Sequence, residues 1–95
     1  MTVQLRDIVK LDLGITHRKK DRDIDGAIAA ACLDLSNAGV SANRTDPLIQ
    51  HAVKLFCRSW YNYQGMAEQW NERYEAQKRS LALSGKHREE PGDEE

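Results

Sequence analysis

Apolar residues recur at helical spacing in four stretches of the chain, and polar residues fill the positions between them. In the first stretch Leu5, Ile8 and Val9 share a face, Thr2 opens the segment as a cap, and Gly14 stops it after Leu13. Leu11, Leu13 and Ile15 alternate as a strand would, but the glycine stop favours a helix. In the second stretch Ile24, Ala27, Ile28, Ala31 and Leu35 predict a helix over residues 21–38, ended by Gly39. In the third, Asp46 is an N-cap with Pro47 at the first helical position. Ile49, Val53, Phe56, Trp60 and Tyr63 then recur at steps of four and three, and Leu48, Ala52 and Leu55 widen the stripe. A helix apolar around so much of its circumference is central, so this segment is expected to run to Gln64, break at Gly65 and form the spine. In the fourth, Met66, Trp70, Tyr74, Gln77 and Leu81 mark a narrower stripe beside a Glu75/Arg79 pair four apart. That helix should fold back antiparallel across Gly65 and end near Ser84 and Gly85.

The pattern therefore predicts an all-α protein, a small bundle of about four helices over residues 1–85. Residues 86–95, "KHREEPGDEE", contain no apolar side chain and predict a disordered acidic tail. Fourteen Lys and Arg stand against fifteen Asp and Glu. The tail holds two basic and five acidic residues, a net of -3 that leaves +2 for residues 1–85. The body is mildly basic, and the whole chain is not a polycation built to coat nucleic acid. A domain of this size buries about 60 to 65% of its unfolded surface, so partners or self-association would add needed stability.

The opening of the second helix, "DRDIDGAIAAAC", spaces Asp21, Asp23, Asp25 and Gly26 as an EF-hand loop does. Cys32 stands where the closing bidentate glutamate belongs and Ala29 offers no oxygen at the ninth position, so calcium is not expected. The aspartates read instead as an acidic first turn, accepting hydrogen bonds from unpaired N–H groups and facing the positive end of the dipole. Cys32 and Cys57 fall within apolar helical patterns without a C-x-x-C pair, which predicts reduced thiols in a cytoplasmic protein. The longest apolar run, residues 27–33, is far short of a membrane span, and no signal-peptide h-region is present.

Candidate chemistry is sparse. His17, His51 and His87 form no i, i+4 metal pair, and no phosphate loop or zinc spacing occurs. No catalytic residue, metal site or cofactor is expected, so the chain does not read as an enzyme. "HRKKDR", residues 17–22, is the densest basic cluster, and Arg18, Lys19, Lys20 and Arg22 are placed to reach phosphates. Every Trp and Tyr lies between Trp60 and Tyr74. Trp60 and Tyr63 lie on the main stripe and are core by default, while Tyr61 points elsewhere. So small a chain cannot easily cover all these rings, and Tyr61, Tyr63, Trp70 and Tyr74 are expected to contribute to a subunit or partner interface.

Several segments in the same order carry a resemblance: "VQLRDIVKLDLGI", "DRDIDGAIAAACLDL", "DPLIQHAVKLFCRSWYNYQG" and "YEAQKRSLALSGKHR". Together, over residues 1–88, they resemble the small head-tail connector proteins of long-tailed bacteriophages, often labelled phage DNA packaging proteins. The resemblance implies an all-helical, non-enzymatic adaptor of the virion neck, assembled in the host cytoplasm. It implies a homo-oligomeric ring, a dodecamer, under the portal protein, serving as the platform for a stopper or tail-completion protein. It also implies a channel carrying DNA, to which Arg18, Lys19 and Lys20 are candidate contacts. From the residues alone, a small helical DNA-binding regulator is the alternative.

Overall fold

A computed structural model describes residues 4–41 and 43–84. Thr2, expected as a cap, and the tail expected over residues 86–95 lie outside the described residues. Four α-helices make up the fold: α1 (Leu5–Leu13), α2 (Asp21–Asn37), α3 (Pro47–Trp60) and α4 (Ala67–Leu83), with a 3-10 turn (Tyr63–Gly65) between the last two. No β-strand occurs among the described residues.

The helix ends follow local chemistry. Asp46 caps α3 by accepting from the Leu48 N–H at 2.9 Å, with Pro47 behind it. Gly14 ends α1 at φ 76° and Gly39 follows α2 at φ 82°, where a side chain would strain the backbone. At both, the next residue's N–H reaches back past the glycine, Ile15 to the Lys10 carbonyl and Val40 to that of Leu35, each at 2.9 Å. Val40 and Leu35 are both buried, so the second cap is also closed by an apolar contact.

Most positions of the expected stripes become the core, whereas Leu48 of the α3 stripe is 47% exposed. Leu5 and Val9 of α1, all five α2 positions, Ile49, Ala52, Val53, Leu55 and Cys57 of α3, and Trp70, Tyr74 and Leu81 of α4 are buried in one cluster. Helix α3 touches each of the other three, as expected of a spine. Arg58 lies on Trp70 and Phe56 on Tyr74, so α4 runs antiparallel to α3. Arg6 bonds Asp25 and Lys10 bonds Asp21, which makes α1 and α2 antiparallel too.

Two expectations about helix ends are corrected. Helix α3 stops at Trp60, four residues before Gln64, because Asn62 and Gln64 adopt left-handed conformations at φ 50° and 57°. Asn62 tolerates this and uses its side-chain oxygen to accept from the Ala67 N–H at 3.0 Å, supporting the start of α4. The Asp21 and Asp23 side chains do not cap α2, whose preceding residue Lys20 makes no side-chain cap bond. Asp21 goes to Lys10 at 2.6 Å, Asp23 accepts from the Tyr61 hydroxyl and Asp25 takes a bidentate bond from Arg6. These charge-assisted bonds to other elements win over local capping. Arg6 also lies 3.7 Å from the Asp21 carboxylate, so Asp21 and Asp25 are both taken up by basic side chains of α1 while Asp23 turns to Tyr61.

Candidate functional site

The aromatic cluster divides into a core half and a surface half. Trp70 and Tyr74 are buried, so the expectation that they meet a partner is corrected: α4 turns both rings onto α3. The Trp70 indole N–H donates to the Tyr63 carbonyl at 2.9 Å, and the Tyr74 hydroxyl donates to Asp34 at 2.6 Å, so each polar tip is satisfied inside the subunit. Tyr61 and Tyr63 are half-buried. Tyr61 is tied to Asp23 by its hydroxyl and has the Lys20 ammonium 5.5 Å from its ring centroid. Trp60, read as core from its place on the stripe, is instead 52% exposed. Helix α3 ends at Trp60, where the chain turns away and leaves about half of that last residue uncovered.

Trp60 stacks on Phe56 with ring centroids 5.6 Å apart, and Phe56 meets Tyr74 edge-on at 5.2 Å. Phe56 and Tyr74 form the floor of an open groove of about 360 Å³ between α2 and α4. Ala30, Leu33, Asp34 and Asn37 form one wall, and Asn71 and Glu75 the other. Leu33 is 63% exposed, so Leu33, Phe56 and Trp60 make an apolar strip open to solvent. Leu33 lies off the buried face of α2; a leucine one position from the aspartate that ties α2 to α4 was the sequence signal for this wall. Among the described residues Asn37 and Asn71 make no hydrogen bond through their side chains, leaving an amide on each side of the groove.

Across the groove, Asp34 accepts from both Tyr74 and the Lys78 ammonium, the latter at 2.9 Å. Lys78 also pairs with Glu75 at 3.0 Å, which replaces the expected Glu75/Arg79 pair: the ammonium already held by Asp34 lies within reach one residue earlier. Burial and then the Asp34 carboxylate push the Tyr74 phenol well above its ordinary range. The Tyr74 hydroxyl and then Lys78 hold the Asp34 carboxyl below its ordinary value, against the opposing effect of burial. A phenol this hard to ionise and a carboxyl this hard to protonate are displaced away from neutral pH, the reverse of what acid-base catalysis needs. The constellation is a clamp between α2 and α4.

Before the first turn of α2, Arg18, Lys19 and Lys20 are exposed in the loop between α1 and α2, with Lys20 over the Tyr61 ring. Arg18 and Lys19 of the loop, and Arg22 in the first turn of α2, make no ion pair among the described residues, so this end of α2 carries unpaired positive charge. A second cleft, of about 340 Å³, lies between the start of α1, α2 and the loop before α3, where Arg6 is already committed to Asp25. Among the described residues, no group of three or more His, Cys, Asp or Glu is arranged to hold a metal ion, and no helix is long and apolar enough to cross a membrane.

Cys57 is buried on α3, and desolvation pushes its thiol up to about 12, with Asp12 adding to the shift. Because the thiolate is the nucleophile, Cys57 is expected to resist iodoacetamide in the native protein and to react on unfolding. Its raised folded value also means that the stability it contributes is complete below the ordinary thiol value and is lost as pH climbs toward 12. Peptide mapping after native alkylation at neutral pH checks the first point; stoichiometric labelling of Cys57 there would refute its burial.

Searches against protein-family models, curated proteins and solved structures found no match to this chain.

Proposed function

We propose that this chain is a structural head-tail connector of a long-tailed bacteriophage, acting by binding and without a cofactor. Copies assemble as a ring under the portal once the head is full, joining it to the stopper or tail-completion protein at the virion neck. The observation that carries the proposal is the strip of exposed Leu33 and Trp60 joined by half-buried Phe56, on a domain whose Trp70 and Tyr74 rings are buried. Exposed contiguous apolar surface on so small a domain is a binding surface for another protein. The all-α architecture and the order of the four resembling segments are consistent with that role.

The test is to mix the chain with the portal ring of the same virus and, separately, with duplex DNA at low and moderate salt. Co-migration with the portal and duplex binding no tighter than the non-specific range, a Kd of about 10⁻⁴ to 10⁻⁶ M, are expected. Failure to join the portal, combined with sequence-specific binding at about 10⁻⁸ M or tighter, would establish a small helical DNA-binding regulator instead.

The unpaired charge of the loop gives a separate expectation. Changing Arg18, Lys19 and Lys20 together to alanine is expected to leave portal binding intact and weaken non-specific duplex binding. The slope of log affinity against log salt should fall by about 2 to 3, near one for each lost phosphate contact. An unchanged slope, or unchanged DNA retention in assembled particles, rules this loop out as the channel contact.

A further inference from the structure

We propose that successive copies meet head to tail, the C-terminal turn of α4 in one copy seating Leu83 and Arg79 in the α2/α4 groove of the next. This rests on the connector reading and names the surfaces through which its ring closes. Three exposed leucines could serve as the apolar knob: Leu11, Leu48 and Leu83. Charge selects among them. On the rim of the groove, Asp34 and Glu75 share the single ammonium of Lys78, and each side chain stays about two-fifths exposed, at 40% and 41%, so the rim keeps a negative excess. Leu11 has Asp7 one turn before it and Leu48 follows Asp46, so each would bring a further carboxylate to that rim. Leu83, 86% exposed, has Arg79 one turn before it, and Arg79 makes no ion pair among the described residues.

Polar complementarity agrees. The last turn of a helix ends in carbonyls without intrahelical partners. The side-chain amides of Asn37 and Asn71, one on each wall, can donate to those of the incoming α4 while Leu83 covers Leu33, Phe56 and Trp60. Within one subunit Asn71, Tyr74 and Glu75 line the α2-facing side of α4, whereas Arg79 and Leu83 lie in solvent beyond it. Knob and groove are thus different surfaces, which makes the contact heterologous and able to close as a ring.

The test uses the full chain at about 1 mM, where contacts worth only about 4 kcal/mol are populated. Sedimentation should show wild-type species larger than dimers. Leu83→Asp and Leu33→Asp, both at exposed sites and checked for folding by circular dichroism, should each weaken association at least about tenfold. An equimolar mixture of the two variants should recover a one-to-one heterodimer and stop there, since one retains the groove and the other the knob. A wild type that stays monomeric or stops at dimers, higher species that survive both substitutions, or a mixture with no heterodimer would each overturn the contact. Portal co-migration, measured on the same samples, reports on the connector reading separately.

Discussion

Replacing Tyr74 by alanine is expected to lower the unfolding free energy by about 3 to 5 kcal/mol, the range for emptying a large aromatic site in a core. Tyr74 is 1% exposed and is among the largest fully buried side chains. Its loss removes the edge-on partner of Phe56, on which Trp60 is stacked, and one of the two donors to Asp34. A domain with about 5 to 15 kcal/mol in total cannot absorb this without a melting temperature lower by at least about 12 °C. Tyr74→Phe keeps the ring and loses only the hydroxyl, so it should cost about 1 kcal/mol, reduced by the partial exposure of Asp34. The two variants also differ in pH dependence. The Tyr74 hydroxyl holds the folded Asp34 carboxyl below its ordinary value, so this contribution is present above the unfolded value of about 4 and is lost as pH falls through the folded one. The deficit of Tyr74→Phe relative to wild type should therefore shrink in acid, while the cavity cost of Tyr74→Ala persists. Urea unfolding at neutral pH and near pH 3 reads both, and a deficit for Tyr74→Phe that is identical at the two pH values would refute the coupling to Asp34.

The parts of this fold legible in the sequence are those governed by local rules. The five apolar positions of α2 repeat at one helical period and are all buried. Asp46 with Pro47 fixes the start of α3, and Gly14 and Gly39 fix two helix ends, because caps and left-handed turns depend on a few adjacent residues. The site was legible only in part, since periodicity says which face of a helix is apolar and not how far neighbours cover it. Trp60 shares the stripe of Val53 and Phe56, yet α3 ends at that residue and leaves the ring outside. The stop itself came from Asn62, a turn-prone residue masked by the aromatic pattern around it. Trp70 and Tyr74 went the other way, into the core, because their polar tips found acceptors at Tyr63 and Asp34. The acceptor Asp34 lies 40 positions from Tyr74, and no local pattern encodes such a pairing.

Arg58 is the strongest case of a residue whose weight only the three-dimensional arrangement displays. Its Nε and Nη2 donate to Asp12, 46 positions earlier, at 2.8 and 2.6 Å, while its guanidinium carbon lies 4.6 Å from the centre of the Trp70 ring. One side chain thus joins α1, α3 and α4, and both members of the pair are mostly buried, at 22% and 13% exposure. Removing one partner of a fully buried pair costs about 3 to 5 kcal/mol because the other charge stays desolvated. With about a fifth of Arg58 in solvent, Arg58→Ala should cost about 2 to 4 kcal/mol, including the lost contact with the indole. Asp12→Asn should cost less, because it keeps a polar partner and leaves the guanidinium stacked on Trp70. Arg58→Lys should fall between wild type and alanine: a point charge restores the attraction but neither the two-pronged bond nor the planar stacking. A double-mutant cycle on Arg58→Ala and Asp12→Ala isolates the pair, with a coupling of about 1 to 3 kcal/mol expected. Coupling near zero would mean that the guanidinium acts only through the Trp70 face, and Arg73, 5.0 Å from the same ring, would then be its closest equivalent.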